Sequence, residues 1–141
     1  MSFYGPVRLV GFSDKPTLYR MILPQRGDVY VKCGADILLN GLKTDLRAEA
    51  RCPVCGNVTR FRVDQRRVED LAPKSPMLHM VEFEMSPGHL GVECESTHIF
   101  DEKDCLTKWL STYTGKPGRV ISLPEYMDSL NKRHPTKVSP A

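Results

Sequence analysis

Apolar and polar residues alternate with a period near two along most of this chain, and helical spacing takes over in three places. Val7-Arg8-Leu9-Val10 reads as a short strand, Asp14-Lys15-Pro16 as a turn, and Thr17 to Leu23 as a second strand. Gln25-Arg26-Gly27-Asp28 marks the next turn, and Val29-Tyr30-Val31 runs directly into Cys33. Ile37, Leu38, Leu39 and Leu42 predict a short buried helix from Asp36 to Leu42. Leu46 to Arg51 and Val58 to Val63 form a hairpin across the tight turn Cys52-Pro53-Val54-Cys55-Gly56. Pro73-Lys74-Ser75-Pro76 breaks the chain, Met77 to Met85 predicts one strand, and Ser86-Pro87-Gly88-His89 turns it into another over Leu90 to Cys94. Asp101 is a candidate N-cap for a helix whose stripe is Cys105, Leu106, Trp109, Leu110 and Tyr113, ended by Gly115. Val120 to Leu123 is a short strand, and Pro124-Glu125 opens a last helix through about Leu130. The fold class is α+β, mainly antiparallel sheet with a few packed helices.

With 141 residues, 40% hydrophobic and 26% charged, the chain fits one domain with its own core. That domain covers residues 1–131, and the polar segment 132–141 is expected to fray as a tail. No apolar run approaches the roughly 18 residues that cross a bilayer, and no signal-peptide pattern opens the sequence, so a cytoplasmic location without membrane partners is expected. A net charge of +3 argues against a nucleic-acid partner. Arg60, Arg62, Arg66 and Arg67 are interleaved with Asp64 and Glu69, as on a solvated strand edge.

Five cysteines (Cys33, Cys52, Cys55, Cys94 and Cys105) are an odd number for a chain without an export signal. That count favours metal binding or catalysis over a disulfide framework. Cys33 stands at the approach to the first helix, where exposed N–H groups and the helix dipole favour a thiolate, with Asp36 about one turn away. The same residues also read as a small buried hydrophobe and an ordinary helix cap. Cys52-Pro53-Val54-Cys55 is half of a zinc knuckle. It needs two more ligands, with Cys94, His98 or Cys33 as candidates if folding brings them close; otherwise its thiols are spare groups in a turn or serve redox chemistry or metal transfer. Cys105, on the apolar stripe, reads as core packing.

Taken in order, Cys33-Gly34-Ala35-Asp36 before an apolar helix, Cys52 on a strand end, Cys94 followed by His98 and Phe100, and a helix carrying Trp109 resemble the catalytic domain of the organomercurial (alkylmercury) lyase family. The resemblance runs from about Gly11 to Met127. It implies an enzyme that cleaves carbon–mercury bonds, with the family's N-terminal helical domain outside this chain. By that resemblance Cys33 and Cys94 are the sulfur ligands of mercury and Asp36 is the proton donor. Thiolates suit so soft a cation far better than oxygen or nitrogen ligands. For Asp36 to keep a proton near neutral pH, burial must raise its pKa, and Ile37, Leu38 and Leu39 supply an apolar setting. No organic cofactor is implied. Hg(II) is the bound product, passed to an acceptor thiol, either a low-molecular-weight thiol or a mercury reductase-like protein.

The sequence departs from the family at Glu95 and Ser96, where a second cysteine and a histidine can stand, and Cys55 is an addition. Two alternatives remain open at this point. One is a binding module of the same fold that holds mercury, copper or zinc without catalysis. The other is a structural zinc protein with Cys52 and Cys55 as its main ligands.

Overall fold

The computed structural model describes residues 9–73 and 75–135. Its strands are β1 (Phe12–Ser13), β2 (Tyr19–Leu23), β3 (Gly27–Val31), β4 (Leu46–Arg51), β5 (Val58–Asp64) and β6 (Arg67–Ala72), followed by β7 (Met77–Met80), β8 (Glu82–Ser86), β9 (His89–Val92), β10 (His98–Phe100) and β11 (Arg119–Ser122). The helices are α1 (Gly34–Gly41), α2 (Lys103–Thr112) and α3 (Leu123–Arg133). A six-stranded sheet runs β1-β3-β2-β4-β5-β6, a three-stranded sheet runs β10-β7-β11, and β8 pairs with β9 alone. Every pairing is antiparallel, as the α+β reading requires.

Alternation sorts the large sheet into a dry face and a wet one. Tyr19, Met21 and Leu23 of β2, Leu46, Ala48 and Ala50 of β4, and Phe61 and Val63 of β5 point into the core. On the outer face Arg20 and Arg60 both reach Glu49, at 3.2 and 3.0 Å. These pairs keep the face soluble and contribute little to stability. Helix α1 lies against the dry face with Ala35, Ile37 and Leu38 fully buried, and only Leu39 of its apolar residues is partly open. Leu123, Tyr126, Met127 and Leu130 of α3 close the same core.

Glycine lets the two sheets meet. A Cβ on Gly34, the first residue of α1, would lie 2.6 Å from Cγ1 of Ile99 on β10. The start of α1 can therefore press directly on the three-stranded sheet. Tyr19 ties the same sheets together: its hydroxyl accepts from Ile99 N at 3.2 Å and lies 2.8 Å from His98 Nδ1.

Several expectations need correcting. Residues 7 and 8 of the expected first strand lie outside the described residues, and Val10 is not in a strand. The Asn40 side chain accepts from Val10 N at 2.7 Å and donates to Val10 O at 3.0 Å, which occupies both groups a sheet would use. The first strand is Phe12–Ser13 instead. The run from Met77 to Met85 divides at Val81 into β7 and β8, which belong to different sheets. Val81 N donates to Thr97 Oγ1 and Val81 O accepts from Glu93 N, so this residue leaves both ladders. Helix α2 begins after Glu102 rather than Asp101 and ends at Tyr113, before Gly115. Helix α3 continues past Leu130 to Arg133, started by a reciprocal cap between Ser122 and Glu125. Asn131 donates to Arg66 O at 3.0 Å and Arg133 pairs with Glu82 at 2.9 Å, which fixes the start of the expected tail; residues 136–141 lie outside the described residues.

Gly34→Ala forces Ile99 out of contact in a packed core and should lower stability by about 1–3 kcal/mol. Thermal or urea unfolding measures this, and an unchanged midpoint would mean that the α1–β10 contact is slack.

Candidate active site

Cys33 is the N-cap residue of α1, in extended conformation, and its carbonyl accepts from Asp36 N at 3.1 Å. Asp36 therefore lies one turn into the helix with its carboxyl turned back toward the cap. Its Oδ2 accepts from Cys33 Sγ at 3.5 Å and lies 3.6 Å from Cys94 Sγ. The two sulfurs and a carboxyl oxygen all lie within 4.8 Å of one another, close enough to grip a single atom. Cys33 is fully buried and Asp36 is 6% exposed, while Cys94 is partly open.

Cys94 starts a single 3-10 turn, Cys94–Ser96, between the β8–β9 hairpin and β10. Thr97 Oγ1 donates to Glu93 O at 2.8 Å, Ser96 Oγ donates to Glu93 Oε1 at 2.8 Å, and His79 Nδ1 donates to Ser96 O at 2.7 Å. These bonds hold the turn at both ends, so Cys94 is aimed by its backbone. Glu95 points to solvent.

The charges settle unequally on the two thiols. The Cys94 pKa is lowered, first by its hydrogen bond with Cys33, which favours the thiolate. The same bond, then burial, raises that of Cys33, which keeps its proton. The Asp36 carboxyl is raised by burial, against hydrogen bonds from both thiols that favour its ionised form. The cluster thus holds an outer sulfur ready to bind a cation and an inner thiol beside a carboxyl that accepts or returns a proton.

Sequence reading missed Gly11. Its φ is +72°, and a Cβ built there would fall 2.1 Å from Asp36 Oδ2. Main chain therefore lies directly on the carboxyl, which only glycine allows. Its one sequence signal was a glycine next to a predicted strand. His98 is a satisfied half-buried histidine rather than a ligand: Nε2 donates to Glu95 O at 3.1 Å, and Nδ1 receives the Tyr19 hydroxyl proton. Burial lowers its pKa, consistent with a neutral ring. Trp109 stacks on Tyr113 and packs against His79, His98 and Phe100, so it walls this region from the far side of the histidines.

Cys52 and Cys55 meet neither Cys33 nor Cys94. They form a separate group with Asp101 and Cys105, whose ligand atoms lie within 4.8 Å of one another. The Asp101 carboxylate lies 3.2 Å from Cys55 Sγ and accepts from Asn57 Nδ2 at 3.1 Å, so its oxygens face the Cys52–Cys55 turn instead of capping α2.

An α+β scaffold that brings two thiols and a carboxyl together in a largely buried cluster offers donors of the kind that could hold a soft metal. Residues 12–132 match the alkylmercury lyase family, and the chain belongs to that family. Its fold is similar to that of "Crystal structure of the mercury-bound form of MerB2", with a TM-score of 0.68 and 22% identity. That match covers 90% of this chain, which spans 64% of the length of the MerB2 chain. No curated protein matches this chain. Among the described residues no helix is long and apolar enough to cross a membrane.

Two outcomes follow from these charges. At neutral pH a small alkylating reagent should modify Cys94 well before Cys33, read by peptide mass mapping; the opposite order would contradict the assignment of the thiolate. A carboxyl whose folded pKa is raised adds stability that is complete below its unfolded value near 3.8 and is lost as pH rises through the folded value. The stability of Asp36→Asn relative to the parent should therefore grow as pH rises from about 3.8 through the folded value and level off above it. A pH-independent difference would argue against a raised pKa.

Proposed function

We propose that this chain cleaves the carbon–mercury bond of organomercurial compounds, with Cys33 and Cys94 as sulfur ligands and Asp36 as proton carrier. The observation that carries the reading is one Asp36 oxygen within 3.5 Å of Cys33 Sγ and 3.6 Å of Cys94 Sγ. Family membership and the MerB2-like fold support it.

The chemistry follows from the unequal sulfurs. The Cys94 thiolate attacks R–Hg–X, forms a sulfur–mercury bond and expels X⁻. Cys33 then gives its proton to the Asp36 carboxylate, and the new thiolate becomes the second sulfur on mercury. Two sulfur donors push electron density toward the organic group and weaken its bond to the metal. The electron pair of that bond takes the proton back from Asp36 and leaves as R–H, while Hg(II) stays between the sulfurs. One thiol, one thiolate and R–Hg–X thus become R–H, X⁻ and a neutral dithiolate of mercury, and Asp36 returns to its starting form. Exchange with two external thiol groups, one of them as thiolate, removes the metal. The low polarity around Asp36 serves the second proton transfer, since a carboxyl in water would be far too acidic to hold its proton between steps.

Hydrocarbon released from an organomercurial in the presence of excess thiol measures the reaction. Asp36→Asn should lower release by about a hundredfold or more, the usual contribution of a placed general acid. Because Cys94 remains, that variant should still let one equivalent of organomercurial protect Cys94 from alkylation. Cys94→Ser should lose both properties. Gly11→Ala, which drives a methyl group into the Asp36 carboxyl, should also reduce release while sparing that protection. Release from Asp36→Asn at the parent rate would remove the proposed proton carrier. Protection without release in the parent chain would make this a binding protein for mercury.

A further inference from the structure

The group Cys52, Cys55, Asp101 and Cys105 lies apart from the mercury chemistry proposed above, and it has the makings of a closed tetrahedral centre. Cys52 leaves the end of β4 and Cys55 follows in the turn to β5. Asp101 follows β10, and Cys105 lies in the first turn of α2. The four ligand atoms lie within 4.8 Å of one another. A tetrahedral zinc with Zn–S bonds of about 2.3 Å holds its sulfurs about 3.8 Å apart, so contraction by well under a bond length closes the cage.

The surroundings suit a bound cation better than they suit free side chains. Asp101 is 8% exposed, yet its neighbours are weakly donating thiols and one amide from Asn57. Its oxygens thus face the sulfurs of the group, where a cation would sit. Asn57 N points at Cys55 Sγ at 3.5 Å, which fixes the direction of that sulfur, and Arg51 Nη1 on Gly56 O at 2.8 Å brings positive charge to the loop. Cys52 and Cys105 share a small apolar cluster with Phe100 and Leu106, separate from the main core, which shields the inner side of the cage.

We propose that Cys52, Cys55, Cys105 and Asp101 bind one structural zinc ion that fastens the β4–β5 turn to the β10–α2 corner. Binding converts three thiols to thiolates and releases three protons to solvent; Asp101 joins as carboxylate, and no oxidant or reductant takes part. The ion bridges the six-stranded sheet, whose β3 feeds Cys33 into α1, and the three-stranded sheet, whose β10 follows Cys94. It therefore helps to hold the gap in which the two other sulfurs meet. Zinc is the fitting metal because three sulfurs and one oxygen in a closed four-coordinate cage match its preferences without calling for redox chemistry.

Metal content of the full chain, purified under reducing conditions without chelator and supplied with Zn²⁺, tests this. One zinc per chain is expected in the parent and in the Cys33→Ser/Cys94→Ser double variant, which keeps this result independent of the lyase reading. Cys55→Ser, a change at an exposed position that leaves the core intact, should lower zinc affinity at least tenfold in a competition with a chromogenic chelator. Cys105→Ser should do the same, and its circular dichroism shows whether it has folded. Replacement of zinc by Co²⁺ should give a thiolate-to-cobalt charge-transfer band in the parent that weakens in Cys55→Ser. Bound zinc should also protect Cys55 from alkylation until chelator is added. Absence of zinc and of the cobalt band in the parent would overturn the proposal, as would metal that departs with Cys33 and Cys94 but survives Cys55→Ser.

Discussion

A single carboxyl oxygen touches two sulfurs that come from separate parts of the chain, and the rest of the molecule is arranged to make that possible. Cys94 is 58 residues from Asp36 along the chain and belongs to the connection into the small sheet, whereas Asp36 rides on a helix seated against the large one. Neither sheet alone contains the site. It exists because the sheets are held together by the Gly34–Ile99 approach, by the Tyr19 hydroxyl on Ile99 and His98, and by the hydrogen bonds of Cys55 and Asn57 to Asp101 at the far end of β10. A shift between the sheets would separate sulfur from carboxyl, so the contacts between them serve the geometry of the site as well as the fold.

The unequal burial of the two sulfurs is what gives the centre direction. Were both exposed, either could meet metal from solvent and nothing would set an order between them. Were both buried, nothing could enter. With Cys33 sealed and Cys94 partly open, the proposed reaction has one sulfur for an arriving cation to meet first and a carboxyl placed to take the proton of the second. The burial that raises the Asp36 pKa suits a carboxyl that must hold that proton for a time.

Much of this was legible from residues alone. Strict alternation over Leu46 to Arg51 and Val58 to Val63 found β4 and β5 and the hairpin between them, and the apolar run after Asp36 found α1. The order of Cys33, Asp36 and Cys94 pointed to three groups that the fold does bring within 4.8 Å of one another. Reading failed where a side chain replaced a backbone partner. Asn40 took Val10 out of a sheet, Asp101 turned to Cys55 and Asn57 instead of its own helix, and Thr97 with Glu93 pulled Val81 from between two strands. Each is a long-range hydrogen bond, and local periodicity contains no term for it. Cys105 was read as core from its stripe, and it is buried, but the stripe could not tell that its sulfur faces the Cys52–Cys55 turn.

Asn40 lies four residues after Asp36, on the same side of α1, and its amide grips the main chain of Val10 beside the glycine that covers the carboxyl. The roof is thus anchored to the very helix that bears the group beneath it. If α1 slides or rocks against the sheets, cover and carboxyl travel together as one rigid piece. Thermal motion can then vary the reach to Cys94 without letting water in over Asp36, so access and alignment are governed by different joints of the molecule.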